Sequence, residues 1–266
     1  MKVINLEGKK VKEINLPKQF SEDYHPNLIK RAVWTIQSNK RQPYGTKERA
    51  GLRYSSTLSK RRKDYKGSYG KGLSRTPRKV MWRRGTQFGY VGATAPGTRG
   101  GRKAHPPKSE KVFDKKINKK EKRKAIRSAL SATFNIELII KRNHQIPKEF
   151  PFIIEDHLEN LEKTKDVKKS LEALGFEKEM KRCEEKKVRA GKGKTRGRKY
   201  HKKKGLLIVV SKKCNLEKSA INIPGIDIVE IKNINSELLA PGTHAGRLTL
   251  YTESSIKKLE KEKLFM

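Results

Sequence analysis

The chain has 266 residues and a formal charge of +38, with 66 Lys+Arg against 28 Asp+Glu. A free soluble domain usually carries a net charge of magnitude about 2 to 8; an excess this large points to a polyanionic partner, nucleic acid first. The longest apolar run, Leu206 to Val210, is too short to span a bilayer, and the opening MKVINLEGKK lacks the apolar core of a secretion signal. No membrane partner is expected.

The first 16 residues read as a small hairpin, with KVINL and KVKEINL flanking Gly8. A helix is predicted after Asp23 and Pro26, where Leu28, Ile29, Ala32, Val33 and Ile36 recur at helical spacing. Residues Pro43 to Glu110 follow as a 68-residue excursion. This stretch holds 18 Lys+Arg against three acids, with 11 Gly and five Pro. Its six aliphatic or Met residues cannot make a core. It is expected to be extended and without regular structure, because its own charge opposes collapse. Tyr44, Tyr54, Tyr65, Tyr69, Trp82, Phe88 and Tyr90 lie among the cations. They admit two readings, a small satellite cluster or stacking on unpaired bases.

A second helix is predicted from about Lys119, burying Ala125, Ile126, Ala129, Leu130, Thr133 and Phe134. From Phe150 onward, strands and helices alternate. FPFII, LLIVV, IDIVEI and RLTLY read as strands. Thr164 is expected to cap a helix that stops at Gly175, Asn235 a short helix before Pro241, and Thr252 the last helix. The fold class is α/β: a Rossmann-like, mostly parallel sheet flanked by helices, with the extended basic loop inserted between two N-terminal helices. The expected domains are 1–42 with 111–266 as the globular part, 43–110 as the loop, and 188–204 as a second basic loop.

That second segment, VRAGKGKTRGRKYHKKK, carries no acid. Gly193-Lys194-Thr195 resembles the end of a phosphate-binding loop, but Val188 stands where the pattern needs its first Gly. Glycines that admit close backbone approach, with flanking cations on separate phosphates, are the better account. Arg presents a planar fork suited to phosphate and stacks on bases. Arg61, Arg62, Arg75, Arg78, Arg83, Arg84, Arg99 and Arg102 are therefore the strongest RNA-binding candidates. Arg49, Arg53, Lys71, Lys79, Lys103 and His105 join them in the loop. Arg189, Lys192, Lys194, Arg196, Arg198 and Lys199 join them in the second segment.

The six histidines show no metal-ligand spacing and no evident carboxylate partner, so each is expected at the surface or in a loop. Cys183 and Cys214 form no CxxC, so two reduced thiols are expected, with a disulfide the lesser alternative. Glu155-Asp156 after a strand could be a catalytic acid or a helix N-terminus signal. No nucleophile–base set stands out, and neither catalytic residues nor a metal or cofactor is expected.

Three segments resemble a known family: Gly101 to Thr133, Val188 to Tyr200 and Leu238 to Ile256. In that order, they are similar to the universal large-subunit ribosomal protein number four (the L4/L1e family), in its archaeal and eukaryotic form. The resemblance implies a structural constituent of the large ribosomal subunit, cytoplasmic and not an enzyme, that supports assembly. Its partners would be large-subunit rRNA, neighbouring ribosomal proteins and the nascent peptide, since the family's loop helps line the exit tunnel. The implied tip is Arg83, Arg84, Gly85, Thr86, Gln87, Phe88 and Gly89. The short C-terminus suits an archaeal source. Two rival readings stand beside it, an RNA-modifying enzyme and a DNA-compacting protein.

Overall fold

Leu207–Val210 is buried at all four positions, which a strand achieves only when both faces of its sheet are covered. A computed structural model describes residues 1–64, 67–85 and 87–266. In chain order its elements are β1 (Lys2–Ile4), β2 (Lys10–Glu13), α1 (Pro26–Asn39), β3 (Arg78–Arg84), β4 (Gln87–Gly92), α2 (Lys119–Ser131), α3 (Ile136–Lys141) and β5 (Ile153–Ile154). They continue with α4 (Thr164–Ala173), α5 (Glu177–Glu184), β6 (Lys186–Val188), β7 (Tyr200–Lys202), β8 (Leu207–Val210) and α6 (Leu216–Ala220). The last are β9 (Asp227–Glu230), α7 (Ser236–Leu239), β10 (Thr249–Tyr251) and α8 (Glu253–Lys261). The chain divides into two compact units: a globular one, Met1–Asn39 with Lys115–Met266, and an arm, Lys40–Asp114.

The globular unit is mixed α/β. Alternate residues of its strands feed two separate cores. Val3, Ile153, Leu207, Val209 and Tyr251 pack with Ile29 and Val33 of α1, Ile126 and Leu130 of α2, and Ile256 of α8. Ile4, Ile154, Ile208, Val210 and Leu250 pack with Val167 and Leu171 of α4 and Leu216 of α6. The period of two along each strand thus sends neighbouring side chains to opposite cores.

The strands form two three-stranded sheets, in orders β2-β1-β5 and β10-β8-β9. The second is parallel throughout, whereas the first is mixed, with β1 antiparallel to β2 and parallel to β5. Sequence patterning had suggested one mostly parallel sheet. The difference lies in β5, which is two residues long and follows Pro151, a residue without an N–H to donate. A single parallel bridge, Ile154 to Thr252, is what joins β5 toward β10.

Helix boundaries follow local chemistry. Pro26 opens α1, where its missing N–H is harmless. Helix α4 closes in a Schellman motif: Gly175 (φ 83°) donates to Glu172 O and Phe176 to Leu171 O. Two expected caps are absent. Lys163, not Thr164, occupies the N-cap of α4. Thr252 sits at the N-cap of α8, but its hydroxyl donates to Glu159 Oε1 (2.7 Å). Asp156 caps α8 instead, accepting from Ser254 N (2.8 Å) and Ser254 Oγ (2.7 Å).

Asn39 and Lys115 are the inner ends of the globular unit's two segments. Lys115 N donates to Asn39 Oδ1 (2.8 Å), and Asn39 Nδ2 donates to Lys115 O (3.2 Å). This reciprocal pair fixes where the chain leaves and returns.

Candidate nucleic-acid interface

The arm contains regular structure that composition alone did not suggest. Strands β3 and β4 form an antiparallel hairpin, registering Arg84 with Gln87, Arg83 with Phe88 and Trp82 with Gly89. Alternation in KVMWRR and QFGYVG around a two-residue connection was the available signal. Gly85 takes a φ of 56°, as the first residue of such a connection requires. The Trp82 indole lies over Gly89 so closely that an added Cβ would meet Nε1 at 2.1 Å. The expected tip residues Arg83, Arg84, Gly85, Gln87, Phe88 and Gly89 flank this connection, while Thr86 lies outside the described residues. So does Tyr65 among the loop aromatics.

Elsewhere in the arm, outgoing and returning backbones run against each other. Thr46 N donates to Pro107 O (3.0 Å). A Cβ on Gly45 would lie 2.6 Å from Ser109 N, and one on Gly51 2.5 Å from Arg102 N. Only glycine fits at that spacing.

Of the nominated cations, Arg49, Arg53, Arg61, Arg62, Lys71, Arg75, Arg83, Arg84, Arg99, Arg102 and Lys103 are exposed, as is His105. Arg78 and Lys79 are half-buried. Arg78 donates to Ser74 O (2.5 Å) and Ser74 Oγ (2.8 Å), and Lys79 Nζ sits 3.8 Å over the Tyr54 ring. Arg75 donates to Tyr69 Oη (3.2 Å), and Arg83 to Gly85 O (3.0 Å) while lying 5.5 Å over Phe88. Phe88 and Tyr90 stack at 5.4 Å. Among the described residues, no ion pair engages Arg49, Arg53, Arg61, Arg62, Arg84, Arg99 or Arg102.

The globular unit treats its charges differently. Arg127 pairs with Glu22 (2.7 Å), Lys12 and Lys257 share Glu253 (2.8 and 2.5 Å), and Lys181 pairs with Glu177 (2.6 Å). Its second basic segment is different again, an eleven-residue connection, 189–199, on the short ladder β6–β7. Arg189 is half-buried and donates to Arg198 O (3.0 Å), bracing the loop across its base. Lys192, Lys194, Arg196, Arg198 and Lys199 are exposed.

Two polar networks went unread in the sequence. His144 is buried, with Nδ1 2.7 Å from Glu179 Oε1, which also accepts from Arg182 Nη2 (2.6 Å). The surface expectation fails for this histidine because its carboxylate partner is 35 residues away, on α5. Burial pushes the His144 pKa down, against the pull of Glu179. Burial alone would raise Glu179, but donors from Arg182, His144 and the Gln145 backbone hold it below the usual carboxylate range. Burial also lifts the Cys183 thiol to about 11, and both cysteines are free. The second network lies at the carboxyl ends of β8 and β10, where an α/β enzyme would hold its substrate. Buried Glu159 fills that place, accepting from Ser211 N and Oγ (both 2.9 Å) and from Thr252 Oγ1. Asp156 caps α8.

Residues 14–262 match the family model described as Ribosomal protein L4/L1 family. The chain belongs to that family. It is 48% identical to the large ribosomal subunit protein uL4 of Nanoarchaeum equitans, across 98% of this chain and 97% of that one. It is 44% identical to the uL4 protein of Archaeoglobus fulgidus, across 97% of each chain. The same identity relates it to the uL4 protein of Methanococcoides burtonii, across 97% of this chain and 96% of that one. The match runs through both the arm and the globular unit.

Proposed function

We propose that this chain is a structural, non-catalytic constituent of the large ribosomal subunit in the cytoplasm of an archaeon. The observation that carries the proposal is an arm in which Arg49, Arg53, Arg61, Arg62, Arg84, Arg99 and Arg102 are exposed and, among the described residues, enter no ion pair. Full-length similarity to uL4 proteins supports it. Residues 43–110 serve as the rRNA-binding loop and 188–204 as a second contact, with the 1–42 and 111–266 segments as the globular body. In this reading that body derives from a Rossmann-like sheet. The nominated Arg and Lys residues neutralise phosphates so that rRNA segments approach one another. The residues around Gly85 face the exit tunnel and the nascent peptide, and neighbouring subunit proteins complete the surroundings.

The test is sedimentation of the tagged chain in cells, joined to crosslinking of its bound RNA. Co-migration with the large subunit and crosslinks to its rRNA from Arg61 to Arg102 are expected. A variant lacking residues 47–107 should keep a folded globular unit and fail to enter mature subunits. Full incorporation of that variant would sink the proposal.

A further inference from the structure

Tyr44 and Phe113 stack near-parallel, with centroids 5.8 Å apart and planes 10° apart. They lie at the two sequence ends of the arm and come together within it. Arg41 lies 4.1 Å over Phe113 and 5.9 Å over Tyr44, and Lys111 lies 5.7 Å over Phe113. Tyr44 is 55% exposed, so the pair is not a buried satellite core. A cleft of about 850 Å³ is lined by Tyr44 and Phe113, by the rings of Pro106 and Pro107, and by His105, Lys108 and Lys111. Pockets that hold small organic groups run to about 300–1,000 Å³.

We infer that this cleft is a stacking site for a single unpaired RNA base, with its phosphate held at the cationic rim. Flat apolar faces with cations beside them are what a splayed nucleotide recognises, because every base offers a π-face and brings its own negative charge. A duplex keeps its bases stacked inside and cannot enter. Glu110 is the one acid in the lining. Arg41 lies against both rings at once, 4.1 Å from the Phe113 centroid and 5.9 Å from that of Tyr44, and a base adds one layer to the ring pair. The site rests on the RNA-binding reading above, and it differs from the phosphate contacts of the arm in reading a base.

The test uses the full chain with two RNA probes of equal length, a single strand carrying one 2-aminopurine and a blunt-ended duplex. Wild type should quench the 2-aminopurine on binding. Tyr44→Leu should weaken the single strand roughly five- to a hundredfold, the range of one lost base stack. It should leave duplex affinity and the salt dependence of both unchanged. Tyr44→Phe should restore binding, which separates stacking from a folding defect. Binding without quenching, or equal losses for both probes, overturns the base site alone. Absence of salt-sensitive binding to either probe overturns the RNA-binding reading as well.

Discussion

At the residue scale, Arg247 shows how far one side chain's role can be hidden. In sequence it is the first letter of a strand. In the fold it is 1% exposed and ties three strands together. It donates to Gly205 O (2.8 Å) and Leu206 O (3.5 Å) before β8, to Leu238 O (3.0 Å), and to Asp227 Oδ2 (2.6 Å) on β9. Burial lowers the Arg247 pKa, and Asp227 opposes that shift. Removing the guanidinium strands several carbonyls and a partly buried carboxylate, which costs about 3–5 kcal/mol. Arg247→Met should therefore lower the urea midpoint sharply at neutral pH, and Asp227→Asn should lower it less because that side chain is partly exposed. Arg247, His144 and Glu159 share one reason for being illegible: their side-chain partners Asp227, Glu179 and Thr252 are 20, 35 and 93 residues distant. The Asn235 cap was legible because its acceptor serves Leu238 N (2.9 Å), three residues on.

At the element scale, helices with a strong apolar stripe read well, and short strands read poorly. The predicted faces of α1 and α2 are buried largely as spacing required. Helices α3 and α6 escaped notice, being six and five residues long. Hairpin β3–β4 was obscured by its own cations, since composition argued against any regular structure there. Its order depends on Gly89, beneath the Trp82 ring. Gly89→Ala should force the indole aside and shift its Nε1–H resonance, while the melting of the globular unit stays unchanged because neither core contains either residue. An unmoved indole signal would show that the ring does not rest there.

At the scale of the whole molecule, charge is divided between uses. In the globular unit many cations meet carboxylates, and in the arm those named above do not. Counterion release makes each phosphate contact visible as salt dependence, with a slope of roughly 0.7 to 0.9 per contact. Replacing Arg61, Arg62, Arg84 and Arg99 with Ala should reduce the slope of log affinity on log salt by about 3 for a large-subunit rRNA fragment. The unfolding midpoint should not change, since all four are exposed and enter no ion pair among the described residues. A slope unchanged by the four replacements would move the phosphate contacts elsewhere.

Composition and periodicity determined an α/β body and two basic segments unable to form cores, while the family came separately, from the resemblance of three segments that run in order. These are local or additive properties, set by spacing along the chain and by summed charge. Tertiary structure alone decided which polar groups are buried together, how Asp156 reaches a helix nearly a hundred residues on, and where the sheet divides. It also brought Tyr44 and Phe113 into one stack. Such pairings depend on loop closure and on the packing of distant faces, and no window along the sequence contains both partners.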